Sequence, residues 1–278
     1  MSFGTILLHL DGSPRETADL GYAVKLAAEH GARLVALRTI APFYPTIGAF
    51  GDAAVGVIAE LQDRYRASER AVAVKTRENA ERQCAAAGVT LEWREEENFA
   101  DDIVPIHARY ADLAIVGQPE RSKIEPNHSP DLPANTVMGA GRPVIVVPYA
   151  GHFNATPRHI LIGWSGTREA TRAVHDALPI LKRATKVSVL SINPKDGKHL
   201  PDADIAAHLA RHGCKVEAAR TVASDISVAD AILSDASDIG ADFIVMGAYG
   251  HSRLREWAVG GTTRDVLNTM TVPVLFSH

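Results

Sequence analysis

One stretch of this chain occurs twice, and that repetition constrains the fold more than any other feature. Ile6-Leu-Leu-His-Leu-Asp11-Gly-Ser-Pro-Arg-Glu-Thr-Ala18 returns 154 residues later as Ile160-Leu-Ile-Gly-Trp-Ser165-Gly-Thr-Arg-Glu-Ala-Thr-Arg172. Ala111-Asp-Leu-Ala-Ile-Val-Gly117 returns as Ala241-Asp-Phe-Ile-Val-Met-Gly247, and Arg142-Pro-Val-Ile-Val-Val-Pro148 as Val272-Pro-Val-Leu-Phe-Ser-His278, both 130 residues later. A chain repeating at this scale is two copies of one folding unit. The offset drops by 24, so the first copy holds about that much extra chain. Segment 42–68, with Pro42, Pro45, Gly48, Gly51 and Gly56, is where it fits. The turn formers of Gly151-His-Phe-Asn-Ala-Thr-Pro157 mark the boundary, giving expected domains 1–154 and 155–278.

Each copy reads as alternating strands and helices. Ile6–Leu10 is a short apolar run stopped by Asp11-Gly12-Ser13, a turn into a helix whose inner face carries Leu20, Val24, Ala27 and Ala28. Leu34–Ile40, Val89–Trp93, Leu113–Val116 and Val144–Val147 complete five strands, with an alanine-rich helix over 69–87 stopped by Gly88. Continuous apolar strands separated by helices indicate a parallel sheet covered on both faces. The expected fold is therefore α/β, with two tandem five-stranded parallel sheets flanked by helices. Ligands of such sheets sit beyond the carboxyl ends of the strands.

Charge and composition exclude several functions. With 29 basic and 33 acidic residues the net charge is −4, which argues against a nucleic-acid binder needing a basic face. No apolar run approaches the roughly 18 residues of a membrane span, so no membrane partner is expected. The start, Met1-Ser-Phe-Gly-Thr, runs directly into a strand and reads as no signal peptide. Cys84 and Cys214 form neither a CxxC nor a zinc spacing, which fits a reduced, cytoplasmic setting, and Cys84 reads as buried and inert.

The segment richest in chemistry is Val245-Met246-Gly247-Ala-Tyr-Gly250-His251, followed after eight residues by Gly260-Gly261-Thr262-Thr263. It leaves a buried strand and enters a helix at about Thr262, with Val266, Leu267 and Met270 inward. Glycines admit a ligand where a Cβ would clash, and free amides at a helix start favour an anion such as phosphate. Thr262 and Thr263 supply hydroxyls or cap the helix. A tight loop whose glycines only shape turns is the competing reading.

This segment and the two strand-one turns resemble the universal stress protein family. Its nucleotide-binding members carry Gly, two residues, Gly, nine residues, Gly and then Ser or Thr, a spacing that Gly247, Gly250 and Gly260 match. The resemblance covers nearly the whole chain in tandem form. It implies ATP, with Mg as an accompanying ion, on a glycine loop, and paired domains docked through their last strands, here Val144–Val147 and Val274–Phe276. The nucleotide-binding set it assigns is Ser165, Ile192, Met246, Gly247, Gly250, His251, Gly260, Gly261, Thr262 and Thr263.

The chain departs from the family pattern in both halves. Gly261 stands where Ser or Thr is expected, and Ser165 replaces the strand-one Asp. Trp164 beside it could stack on a base or serve as a core aromatic. The first half keeps Asp11, but its loop reads Gly117-Gln-Pro-Glu120, with Pro130-Asp131 opposite Gly260-Gly261. Those acids oppose phosphate, and the proline removes an amide, so the first half reads as closed to ATP. The aromatic residues Phe43, Tyr44, Phe50 and Tyr65 of its inserted segment could cover that site or an interface.

Other groups read as ordinary surface. His208 and His212, four apart on a helix, have a metal-capable spacing but no third ligand nearby in sequence, so no metal is expected. His251, Arg253 and Arg255 could meet phosphate or solvent. Arg94-Glu-Glu-Glu-Asn98 reads as a solvated connection after strand three. No catalytic constellation and no P-loop lysine is present, so at most slow ATP hydrolysis is expected. The readings left open are an ATP-binding stress or signalling protein, a nucleotide-free scaffold with a protein partner or homodimer, and last a group-transfer enzyme.

Overall fold

The computed structural model describes residues 2–43, 55–120, 129–192, 202–221, 226–250 and 261–278. The first half contributes strands β1 (Thr5–Leu10), β2 (Arg33–Ile40), β3 (Leu91–Glu97), β4 (Leu113–Gly117) and β5 (Val144–Val147). Its helices are α1 (Glu16–His30), α2 (Val55–Ala87), α3 (Ala100–Ala108) and α4 (Leu132–Ala140). The second half contributes β6 (His159–Gly163), β7 (Lys186–Ile192), β8 (Val216–Thr221), β9 (Phe243–Gly247) and β10 (Val274–Ser277). Its described helices are α5 (Arg168–Leu181), α6 (Asp202–Arg211), α7 (Val228–Asp238) and α8 (Thr262–Thr269).

All ten strands form one sheet in the order β3-β2-β1-β4-β5-β10-β9-β6-β7-β8. Within each half the pairing is parallel, and the halves meet through the antiparallel pair β5–β10, with Val146 opposite Val274 and Val144 opposite Phe276. The join therefore runs through the expected last strands, and the two five-stranded sheets become one. Alternating strand residues sort onto two faces. Ile6, Leu8, Ile145, Phe243 and Val245 share one core with α1, α2, α5 and α6, while Leu7, Val144, Val146, Ile244 and Met246 share the other with α3, α4, α7 and α8. Asp112 and its repeat Asp242 latch the amino ends of β1 and β6. Asp112 accepts from the amides of Gly4 (2.8 Å) and Thr5 (3.0 Å), Asp242 from those of Arg158 (3.0 Å) and His159 (2.9 Å).

Some elements differ from the sequence reading. Ala28 faces solvent, and the buried face of α1 runs through Leu20, Ala23, Val24 and Ala27. Helix α2 begins at Val55 and spans 33 residues, so part of the expected insertion is helix. Its early turns leave Val57 and Leu61 exposed and are tied down by Tyr65, whose hydroxyl donates to the Ala41 carbonyl at 2.8 Å, while Ala73, Ala80 and Cys84 anchor the later turns. The run Arg94–Glu97 is not a connection but the end of β3, an edge strand whose Arg94 grips Glu92 and whose Glu97 meets Arg66. Charges on an edge strand deter pairing with other chains. Phe43 packs on Tyr65, with ring centres 5.5 Å apart, whereas Tyr44 and Phe50 lie outside the described residues. Both cysteines are free and buried, and burial pushes both thiols up.

Candidate functional site

At the carboxyl ends of the second-half strands, β6 ends in Gly163-Trp164-Ser165, and the chain turns into α5 behind an N-cap, Thr167, whose hydroxyl accepts the Ala170 amide. Ser165 is exposed and its hydroxyl meets that of Thr167 at 3.1 Å. Trp164 is half-buried and packs against the core as a core aromatic. From β9, Gly247 runs against the first turn of α5: a Cβ there would lie 2.4 Å from the Ala170 nitrogen and 2.5 Å from the Glu169 carbonyl carbon. Gly247 is thus required by backbone packing, whatever the loop binds. Gly250 is exposed, and a Cβ there would meet only side-chain atoms, Glu169 Oε2 at 3.1 Å and Thr167 Oγ1 at 3.4 Å.

Helix α8 closes the crevice. Gly261 is its N-cap and offers no side-chain bond, so the first amides of the helix have no intrahelical partner. Thr263 turns inward instead of toward a ligand, and its hydroxyl accepts the Tyr249 amide at 3.1 Å. Tyr249 takes up the positive φ of 53° in this loop, which no sequence signal announced. Val266, Leu267 and Met270 are buried as expected. Met246 places its side chain in the core, and its backbone lies in a central strand between Phe276 of β10 and Gly163 of β6. Ile192 ends β7, and His251, Arg253, Arg255 and Gly260 lie outside the described residues.

Sequence reasoning missed Glu169. It is buried beside Gly250 and receives the Arg168 guanidinium at 3.0 and 3.2 Å. Burial pushes its carboxyl up, but hydrogen bonds from its own amide, Arg168 and Thr167 outweigh this and hold it below the usual range. Its repeat partner is Arg15, a charge reversal that comparison of the two copies could have flagged.

The first-half crevice is filled from within. Arg38, whose side chain is 1% exposed, lies at 3.2 Å from Glu16 and 3.0 Å from Glu69. Glu16 also accepts from the Gly12 amide (2.7 Å) and the Thr76 hydroxyl (2.6 Å). The left-handed Gly12, with φ 80°, sits directly on this guanidinium, since a Cβ there would come within 2.6 Å of Arg38 Nη1. The strand registers align Arg38 with Ser191 of β7, and Glu16 repeats as Ala170, so among the described residues these two positions of the second half carry no such plug. An arginine inside the otherwise apolar run Leu34–Ile40 was the available signal. Nearby, the buried Asp19 presses on Gly117 beside Arg15 (3.4 Å), and burial pushes its carboxyl up to about 7. Asp131 is the exposed N-cap of α4.

A third imidazole, distant from His208 and His212 in sequence, lies beside them in space. Helix α5 brings His175 beside them, and the three rings contact one another.

The universal stress protein family model matches residues 2–148 and 156–278. A crystal structure of a universal stress protein from Archaeoglobus fulgidus DSM 4304 is similar at a TM-score of 0.71, with 17% identity over 98% of this chain and 95% of that one. A functionally unknown protein from Pseudomonas aeruginosa PAO1 is similar at 0.59, with 16% identity over 99% and 92%. Among curated sequences, universal stress protein Slr1230 of Synechocystis is 44% identical over 46 residues, which span 16% of this chain and 16% of that protein.

Proposed function

The chain belongs to the universal stress protein family in tandem form, and from that premise we propose that it binds one nucleotide, ATP with Mg, in its second half and acts in a stress or signalling response. The observation that carries this reading is the contrast between the crevices. Arg38, Glu16 and Glu69 fill the first, whereas Ser191 and Ala170 leave the matching positions of the second without those side chains. The residues present fit the phosphate-binding part. Gly250 leaves open the space that a Cβ would fill, the α8 amides supply donors for an anion, and Ser165 with Thr167 offers hydroxyls at the rim. Bound ATP would bring the anionic triphosphate, with Mg offsetting its charge beside Glu169.

Glu169 favours the competing scaffold reading, since a carboxylate beside Gly250 opposes unscreened phosphate. Two measurements decide between them. Mass spectrometry of small molecules released from the purified, denatured chain should identify an adenine nucleotide, and calorimetry with MgATP should give one site per chain. Two equivalent sites would overturn the closed first half. No release and no binding would favour the scaffold.

A further inference from the structure

We propose that His175, His208 and His212 form a binding site for one divalent transition-metal ion on the outer surface of the second half, separate from the nucleotide crevice. The three imidazoles come from two helices: His175 from α5, His208 from α6, and His212 from the turn that ends α6. Their ring centres lie 5.3 Å (His175–His208), 6.3 Å (His175–His212) and 4.7 Å (His208–His212) apart. Points so spaced lie on a circle of radius about 3.2 Å. An imidazole bound through nitrogen at 2.0–2.1 Å puts its ring centre about that far from the ion. The helices therefore already hold the three rings at coordination spacing.

A second observation points to a ligand. The Nε2 atom of His208 is buried without a hydrogen-bond partner, an arrangement that costs free energy unless something occupies it. As the rings stand, no group of three metal-binding side chains among the described residues is set to hold an ion. A half-turn about Cβ–Cγ exchanges ring nitrogens with ring carbons without changing the ring's shape, and a reorientation of that kind is what the proposed site requires. His175 is exposed and free to make that turn. Imidazole ligands suit zinc, nickel and copper, and a site without carboxylates disfavours magnesium and calcium. The cation class is thus distinct from any magnesium carried with a nucleotide.

The test uses the full chain, untagged and stripped with chelator, titrated with zinc chloride and separately with magnesium chloride at pH 7.5. One zinc per chain with a Kd in the micromolar range or below is expected, together with a higher melting temperature and no response to magnesium at that site. His175→Ala removes an exposed side chain and should leave the fold intact while weakening zinc binding at least tenfold. His208→Ala should do the same. Lowering the pH to 5.5 should weaken binding in the parent chain, because protons compete for the same nitrogens. No zinc uptake by the parent would overturn the proposal. Unchanged binding in a folded His175→Ala variant would also overturn it, because the ion would then sit elsewhere or on the α6 pair alone.

Discussion

At the scale of single residues, the two loop glycines separate packing from binding. The Gly247 contact is with backbone atoms of α5, which cannot move aside without displacing the helix. Gly247→Ala should therefore lower the melting temperature by several degrees or prevent folding, a cost on the order of that seen for overpacked cores, 1–3 kcal/mol or more. At Gly250 the neighbours are the ends of Glu169 and Thr167, so Gly250→Ala should melt close to the parent, and Gly250→Glu should keep the fold while losing ATP by roughly tenfold or more. Thermal unfolding paired with ATP titration checks all three. If the stability ranking of the two alanine variants were inverted, the packing role assigned to Gly247 would fail. Asp19 gives a pH-dependent counterpart. Its folded pKa, about 7, lies above the ordinary 3.8, so the native chain binds the extra proton between those values. Its contribution to stability is present below about pH 4 and is lost as pH rises through 7. Asp19→Asn should melt higher than the parent at pH 8 and nearly with it at pH 4. His30, pushed down to about 4 by burial and Arg183, acts in the opposite sense, losing its contribution as pH falls from 6.5. Because both chains share it, the difference between variant and parent isolates Asp19; an equal difference at both pH values would remove the linkage.

At the scale of elements, Arg38 shows what a buried charge does to neighbouring pieces. It ties β2 to the first turn of α1 through Glu16 and to α2 through Glu69. Arg38→Met should destabilise the chain by about 3–5 kcal/mol, because two largely buried carboxylates are left without their cation. Adding Glu16→Gln and Glu69→Gln should restore much of the loss. Urea unfolding measures both, and a single variant as stable as the parent would mean the triad holds nothing together. The strands, their parallel order and the glycine-loop helix were legible because their signals are local: apolar runs, stop residues and a repeated motif. Helix α2 was only half legible, since its first turns leave their apolar residues Val57 and Leu61 exposed. The end of β3 was misread because edge-strand residues are charged for a reason that lies outside the strand, the need to refuse another chain. In the candidate site the glycine spacing could be read, but the packing of Gly247 on α5, Glu169 and Arg38 could not, because their meaning depends on which helix start lies over which strand end. His175 was unreadable for the same reason, being 33 residues from His208 in the chain yet in ring contact with it.

At the scale of the whole molecule, the sheet is continuous because each half offers the other its final strand. Val144–Val147 and Val274–Ser277 are fully buried, and each pairs with the other along an antiparallel ladder. Side-chain ties reinforce the ladder. Gln118 donates to the Leu267 carbonyl at 2.7 Å, Arg172 donates to the Gly141 carbonyl, and Arg183 meets Glu29 at 2.9 Å. A half expressed alone, 1–154 or 155–278, would expose an apolar strand edge with unpaired amides and carbonyls, a template for pairing with any similar edge. Each isolated half should therefore form a dimer through its last strand or aggregate. Mixing the two halves should instead yield a one-to-one complex, because the native partner offers both the ladder and the side-chain ties. Size-exclusion chromatography with light scattering distinguishes these outcomes. Charge on the joining strands supplies the control. Ile145→Lys in the first half and Leu275→Lys in the second place a cation where both residues are now fully buried, and should block self-association and complex formation alike. Two stable monomers that ignore one another would mean that the shared edge is incidental and that the linker alone keeps the halves together.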